Sequence, residues 1–348
     1  MIIENFTSGQ NYQNLLKSIK LYGFKSYPRG LEISELINEN LNIFNNNILM
    51  HVPGVRDVID PNTKEGQYLR AEFVWYMSGK LDTNFISKFG KMWERLGNNF
   101  YTDDILNGMI NSNYGYHVFY RPINEKSLYA IEYCNYKAPD QISSFEWVIN
   151  ELEMDIDSRK AIIHYTWPVI YRKGVRDFTC TQTQHFIVRE NHLYNLVHIR
   201  SSDAIKGLTF DIPWWDFVGQ LAAKILKVKY GSLQINIGSS HYYSTDNELV
   251  DKLINTNNLE FAKMTLREEK DIVNRLNNTV EYIKSIHDNN DDFYKLDNIV
   301  NRCDNSKFSF CKYIMDICKY YLSTKDLLKS KDIMIDINNR IFDSVFTY

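Results

Sequence analysis

Cys180 lies twenty residues before Arg200-Ser201-Ser202-Asp203. Asp211 follows Arg200 by eleven residues, and His241-Tyr242-Tyr243 begins thirty residues after Asp211. A thiol is a nucleophile once ionised. An Arg beside a Ser offers a planar fork of donors and a hydroxyl, which suits a phosphate. A carboxyl group can read the polar edge of a base. His241 and Tyr243 alternate on a strand, so both project to one face and can share a sugar hydroxyl. Together these are the groups that chemistry on a pyrimidine nucleotide needs. Singly, each has a plainer reading. An unpaired Cys is usually a small buried hydrophobe, an Arg-Ser pair a surface contact, a His-x-Tyr a satisfied core pair. Cys180 is less ordinary than the rest because it sits among polar residues, with Arg176 four residues upstream to favour a thiolate. Cys134, Cys303, Cys311 and Cys318 fit the structural role better. No second His or carboxylate stands at ligand spacing, so no metal is implied.

The elements that must position these groups are of both kinds. Helical spacing of apolar residues predicts helices over 9–20 and 33–46, the second from Leu36, Ile37, Leu41 and Phe44. The stretch from His51 to Gln67 is rich in Pro, Gly, Asp and Asn and reads as a loop. A short apolar helix over 68–79 ends near Gly79, and Gln141 to Leu152 reads as another helix, terminated by Asp155-Ile156-Asp157-Ser158. Ala161 to Trp167 reads as a strand. Thr179 to Val188 and His192 to Ile199 read as a hairpin turning at Arg189-Glu190-Asn191. Ile212 to Val228 is an apolar helix and Ser232 to Tyr243 a further strand. Strands in hairpins mixed with long helices predict an α+β fold rather than a doubly wound parallel sheet. After Asp246 the pattern is helical, with one apolar stripe at Ile272, Leu276, Val280 and Ile283 and another at Cys311, Ile314, Met315 and Cys318. The expected organisation is a catalytic domain over 1–249 and a helical C-terminal extension over 250–348 packed on it.

Composition excludes several classes. A chain of 348 residues with a net charge of −3 lacks the basic surplus of a general nucleic-acid binder, but a small anionic substrate needs only a few local cations. No apolar run reaches the roughly 18 residues of a membrane span, and the N-terminus does not read as a secretory signal. Five cysteines without a CxxC pair suggest neither a disulfide framework nor a zinc site, and a reducing cytoplasm is the simplest setting.

From about Arg56 to Tyr243 the chain resembles the thymidylate synthase and pyrimidine-nucleotide hydroxymethylase family. Glu72-Phe-Val-Trp-Tyr-Met-Ser-Gly79 followed by Asp82-Thr83-Asn84 is similar to that family's catalytic-glutamate helix and its GDTN end. Asn113-Tyr114-Gly115 resembles its tyrosine-glycine motif. Asp140-Gln141-Ile142 and Asp157-Ser158-Arg159-Lys160 resemble its DQI and DSRR segments. The run from Arg200 through Asp211 to Ile212 resembles its RSxDxxxGxPFNI block, and Gly238-Ser-Ser-His241-Tyr-Tyr243 its GDxHxY.

The resemblance implies a thymidylate synthase-like mixed sheet and a homodimer with shared sites. It implies that Cys180 adds to pyrimidine C6, and that Arg56, Arg200 and Ser201, with Ser202 beside them, hold the 5′-phosphate. Arg159 and Lys160 would reach the phosphate in the partner's site. His241 and Tyr243 would anchor the sugar. Glu72 would order water and move protons, and Trp93, Tyr114 and Asp203 would face the co-substrate, 5,10-methylenetetrahydrofolate.

Three departures from the synthase pattern carry specificity. Asp211 stands where the synthase has Asn. Thr181 follows the nucleophile where the synthase usually has His. The C-terminal third does not map onto a synthase tail. A carboxyl accepts from the N4 amino group of cytosine and, when protonated, donates to its N3. Asp211 therefore points to a cytosine nucleotide, as in the cytidylate hydroxymethylases. The implied product is the 5-hydroxymethyl nucleotide, formed when water rather than hydride adds to the exocyclic methylene and Cys180 is expelled. The long extension, unlike a compact deoxycytidylate enzyme, leans the reading to CMP over dCMP. The alternatives are a dUMP-directed synthase or hydroxymethylase and a catalytically silent nucleotide-binding dimer. Asp211 weighs against the first, and Cys180 with Glu72 against the second.

Overall fold

The computed structural model describes residues 7–44, 47–97, 110–121, 142–166, 177–257, 259–287, 293–300 and 307–348. Cys134, Asp140, Gln141, Trp167, Arg176 and Cys303 lie outside these residues. In chain order the elements are α1 (Ser8–Tyr22), β1 (Phe24–Ser26), β2 (Ile33–Phe44), β3 (Asn47–Val52), β4 (Arg56–Asp57), α2 (Lys64–Ser78), α3 (Lys91–Gly97), α4 (Ser144–Met154), β5 (Ile162–His164), β6 (Thr181–Arg189), β7 (His192–Asp203), α5 (Leu208–Leu226) and β8 (Lys229–Tyr243). The remainder comprises α6 (Asn247–Asn255), β9 (Glu260–Lys263), β10 (Thr265–Leu266), α7 (Glu269–Ile286), α8 (Phe293–Val300), α9 (Ser309–Ser323), α10 (Lys331–Val345) and β11 (Phe346–Thr347).

A six-stranded sheet runs β1-β2-β8-β7-β6-β5. It is mixed, with β7 and β8 parallel and the other neighbours antiparallel. The β6–β7 hairpin turns at Glu190 and Asn191, both at positive φ (49° and 61°), the backbone a tight twisted hairpin demands. From β7 the chain crosses through α5 before entering β8, because parallel neighbours cannot be joined by a tight turn. The ends of β7 and β8 therefore lie side by side, with Ser201 opposite Ser239 and Asp203 opposite His241.

The segment 33–46 is not a helix, contrary to its spacing. Residues 33–44 form β2, paired with β8 along its length. Ile33, Leu41 and Ile43 are buried, while Ile37 is exposed. Apolar residues scattered over both faces of a strand imitate a 3.6-residue period. The expected loop 51–67 contains β4, which pairs with β3, and the first turn of α2. Thr63 caps that helix by accepting from the Gly66 N–H, so it begins earlier than its apolar stripe. It ends at Gly79, left-handed at φ 65°, where a Cβ would meet the Tyr120 ring 2.4 Å away. Helix α4 starts at Ser144 because Ser143 and Glu146 form a capping box.

Beyond residue 250 the chain is mainly helical but contributes strands as well. Strand β9 joins β3 and β4 in a three-stranded sheet, and β11 pairs with β10. Helices α9 and α10 pack on α2. Fully buried Phe346 and Phe342 meet Phe73 edge-on at 5.1 and 5.6 Å, and each such ring contributes about 2 kcal/mol by leaving water. Buried Arg70 lies over the Phe342 and Tyr348 rings and donates to the Tyr348 hydroxyl at 2.8 Å. The last residues are thereby fastened to α2, the helix that carries Glu72.

Candidate active site

Cys180 immediately precedes β6, and its carbonyl accepts from the Arg200 N–H at 2.9 Å, locking the thiol strand to β7. Arg200 folds back with Nε on the Thr179 carbonyl (3.1 Å) and Nη2 on the Phe178 carbonyl (2.7 Å). Burial pushes the Cys180 thiol above its ordinary range, Arg200 and Arg29 pull it down, and Asp211 and Asp177 push it up. Arg200 is thus the cation first in effect on the thiol; Arg176 lies outside the described residues. Gly238 on β8 fits the bend here, since a Cβ would stand 2.6 Å from the Arg200 carbonyl oxygen.

Asp211 lies in the first turn of α5. Its carboxyl makes no hydrogen bond among the described residues. Burial first, then the nearby Glu72 and Asp203 carboxyls, raise its pKa well above the carboxylate range. Glu72, buried on α2, is raised to about 7 by burial, against the hydroxyls of Tyr68 and Tyr76. The Tyr68 hydroxyl donates to Glu72 Oε1 at 2.6 Å and accepts from Trp93 Nε1 at 2.9 Å. Trp93 is 5% exposed, with its ring 5.1 Å from that of Trp75. Tyr114 lies under the combined fields of Asp211 and Cys180 and stacks on Tyr76 at 5.5 Å. Its hydroxyl accepts from the Thr181 N–H at 3.3 Å, a contact to the position where a His was the family expectation.

Asp203 and His241 face each other across β7 and β8. The Asp203 Oδ1 accepts from the Ile205 and Lys206 N–H groups, both at 2.9 Å. Burial raises Asp203 and lowers His241, and their mutual attraction opposes both shifts. His241 Nδ1 is buried without a partner among the described residues, and its ring meets Tyr243 edge-on at 5.6 Å. Ser201 is half-buried at the same end; the Ser202 hydroxyl is buried and unpaired among the described residues.

The fold thus collects Cys180, Arg200, Ser201, Asp203, Asp211, Glu72, Tyr114, His241 and Tyr243 at one end of the mixed sheet and the adjoining ends of α2 and α5. Arg56 donates to Thr209 Oγ1 at 3.3 Å, faces Glu65 at 3.8 Å and lies over the Phe210 ring. Arg159 and Lys160 are exposed just beyond α4, with Lys160 3.4 Å from Glu151. Within one chain they are not part of the cluster.

Sequence reading missed four contributors. Arg29, exposed and left-handed at φ 57°, projects charge onto both Cys180 and His241. Asp177 accepts from the Asn111 and Ser112 N–H groups (2.5 and 3.0 Å) and ties the Tyr114 segment to the Cys180 strand. Tyr68 and Tyr76 flank Glu72 one turn away on α2, a relation the i, i+4 spacing could have revealed.

The donor set suits a flat, polar heteroaromatic beside the nucleotide. Asp203 Oδ2 has no hydrogen bond among the described residues, Trp214 Nε1 is buried without a partner, and aromatic Tyr76, Phe210 and Trp214 line a crevice with Glu72. Among the described residues no group of three His, Cys, Asp or Glu side chains could hold a metal ion, and no helix is long and apolar enough to cross a membrane.

A family model described as thymidylate synthase matches residues 10–290. The chain belongs to the thymidylate synthase family. Its site therefore serves folate-dependent one-carbon transfer to a pyrimidine nucleotide. Relatives of this thymidylate synthase-family chain include the deoxycytidylate 5-hydroxymethyltransferase of Enterobacteria phage T2, 28% identical over 209 residues, which are 57% of this chain and 75% of that protein. The enzymes of the same name from Enterobacteria phage T6 (27% over 215 residues, 58% and 77%) and Enterobacteria phage T4 (28% over 209 residues, 57% and 75%) are similar to it as well.

Proposed function

We propose that the protein is a folate-dependent 5-hydroxymethyltransferase acting on a cytosine nucleotide, with deoxycytidylate as the substrate. The observation that carries this reading is the Asp211 carboxyl, half-buried at the start of α5 in the fields of Glu72 and Asp203 and without a hydrogen bond among the described residues. Burial and those two carboxyls favour its protonated form, in which it can donate to cytosine N3 while accepting from N4. Cys180 adds to C6, and the proton that Asp211 offers N3 neutralises the charge that this addition sends to the base edge. Binding of an anionic nucleotide beside Arg200 adds no cation at the thiol, so Arg200 and Arg29 remain the groups that favour its ionised form. Arg200 and Ser201, with Arg29 at the edge, hold the phosphate, and His241 Nδ1 with Tyr243 holds a sugar hydroxyl.

The co-substrate, 5,10-methylenetetrahydrofolate, supplies the carbon at the oxidation level of formaldehyde. Asp203, Tyr114 and Trp93 are assigned to the surface on which its ring would rest. Glu72, with a pKa of about 7, removes a proton from the water that completes the hydroxymethyl group. We assign the outer face of the β6–β7 hairpin, where Ile187 pairs with exposed Tyr194 and His185 with Leu196, to contact with a second copy. That contact would carry Arg159 and Lys160 to the partner's phosphate.

The sequence-based lean to CMP rested on the C-terminal extension. In the fold Phe342 and Phe346 of that extension pack against Phe73 of α2. Three relatives named for deoxycytidylate support the deoxy substrate. Parallel rates with dCMP, CMP and dUMP test the assignment. The expected order places dCMP first, and a preference for dUMP overturns the reading of Asp211.

A further inference from the structure

One oxygen of Glu72 has a fixed donor. Tyr68, one helical turn earlier on the same face of α2, donates to Oε1 at 2.6 Å. The indole of Trp93 can only donate, and it donates to the Tyr68 oxygen at 2.9 Å. The direction of the chain is therefore fixed: Trp93 to Tyr68, Tyr68 to Glu72. The single hydroxyl hydrogen of Tyr68 has nowhere else to point. The Tyr68 ring is itself immobilised, edge-on to Phe210 at 4.7 Å, and Phe210 immediately precedes Asp211. Tyr76, one turn later on α2, is the second hydroxyl that favours the ionised form of this carboxyl.

We propose that Tyr68 is a positioning residue that holds Glu72 Oε1 with a donated hydrogen and so orients the carboxyl for proton exchange with water during the reaction. The catalytic meaning of this relay rests on the function proposed above; the relay itself does not. Its consequences follow from charge. A hydroxyl donating to a carboxylate stabilises the ionised form, and it opposes the burial that raises Glu72. The groups facing Glu72 are Tyr68 and Tyr76 from its own helix and Asp211 from α5, with Leu69, Phe73, Phe342 and Phe346 apolar around it. Removal of the Tyr68 hydroxyl leaves burial opposed only by Tyr76. Glu72 then holds its proton to higher pH, and its orientation is no longer set.

The test reads the protonation of Glu72 directly. The full-length protein is labelled with carboxyl-¹³C glutamate, the Glu72 signal is identified by its loss in Glu72→Gln, and its titration is followed with and without Tyr68→Phe. The midpoint should rise by about one pH unit or more in Tyr68→Phe, the effect of losing one hydrogen bond to a charged group. A midpoint that stays or falls overturns the proposal. Should Tyr68→Phe fail to fold, Trp93→Phe serves, since it frees the Tyr68 hydroxyl to turn away. A rise there supports the relay and an unchanged midpoint overturns it. In turnover, the pH at which kcat is half-maximal should move up in parallel while the nucleotide KM stays within about twofold, whereas loss of packing alone leaves that pH in place. Absence of hydroxymethylation by the wild-type protein refutes the proposed function, yet the titration still decides the relay.

Discussion

Exchange of Asp211 for Asn isolates the group that selects the base. The two side chains have nearly the same shape, and α5 holds position 211 by its backbone, with the Asp211 N–H on the Gly207 carbonyl at 3.0 Å. Among the described residues the Asp211 carboxyl has no hydrogen bond to lose. What changes is acidity. Attack of Cys180 at C6 of cytosine drives negative charge to N3, and a carboxyl raised far above its ordinary range by burial, Glu72 and Asp203 can transfer a proton there. An amide can only share one. Loss of a positioned general acid costs about 100-fold or more in rate. In uracil the same attack drives charge to O4, which the amide N–H stabilises, so the variant gains about 1–3 kcal/mol there from a pair that was previously unmatched. At 1.36 kcal/mol per decade, the ratio of kcat/KM for dCMP over dUMP should fall by roughly three decades. The assay is release of tritium from the C5-labelled nucleotides, measured in competition. An Asp211→Asn protein that keeps the wild-type ratio refutes the assignment of this carboxyl to the base.

Other outcomes follow from the same geometry. Cys180→Ala should lower turnover by roughly 10³-fold or more while nucleotide binding, followed calorimetrically, persists; retained turnover excludes thiol addition. Because Glu72 is raised in the folded state to about 7, its stabilising effect is full below the pKa of the unfolded chain and is lost as pH rises through 7. Glu72→Gln, which cannot ionise, should match the wild type near pH 4 and exceed its stability at pH 8 by about 3 kcal/mol in urea unfolding; a wild type as stable at pH 8 as the variant contradicts the burial of this carboxyl. A Cβ at position 238 would stand 2.6 Å from the Arg200 backbone, so Gly238→Ala should displace β7, cost about 1–3 kcal/mol and raise the nucleotide KM about tenfold. Unaltered KM separates Arg200 from the phosphate.

The order of motifs from Glu72 to Tyr243 was legible because a site built at strand ends needs fixed spacings: β7 must end where α5 begins for Arg200 and Asp211 to meet. The hairpin was legible from its polar turn, and the helices over α2, α4 and α5 from their apolar stripes. Strand β2 was not, because Leu36 and Ile37 add apolar residues beside the inward series of Ile33, Leu41 and Ile43. Arg29 was invisible for a different reason: it comes from a turn outside the segment that resembles the family, and only the sheet brings β1 and β2 round to the Cys180 end. Asp177 acts through backbone N–H groups of a distant segment, which no spacing reveals. Arg56 illustrates the converse. The family resemblance assigns it to the phosphate, while in the fold it engages Thr209, Glu65 and Phe210.

The most direct test is the mass of the product formed from deoxycytidylate and 5,10-methylenetetrahydrofolate. Hydroxymethylation gives a nucleotide heavier by one CH₂O, with tetrahydrofolate released. A nucleotide heavier by only CH₂, accompanied by dihydrofolate, or one recovered unchanged while deoxyuridylate is consumed, contradicts the account.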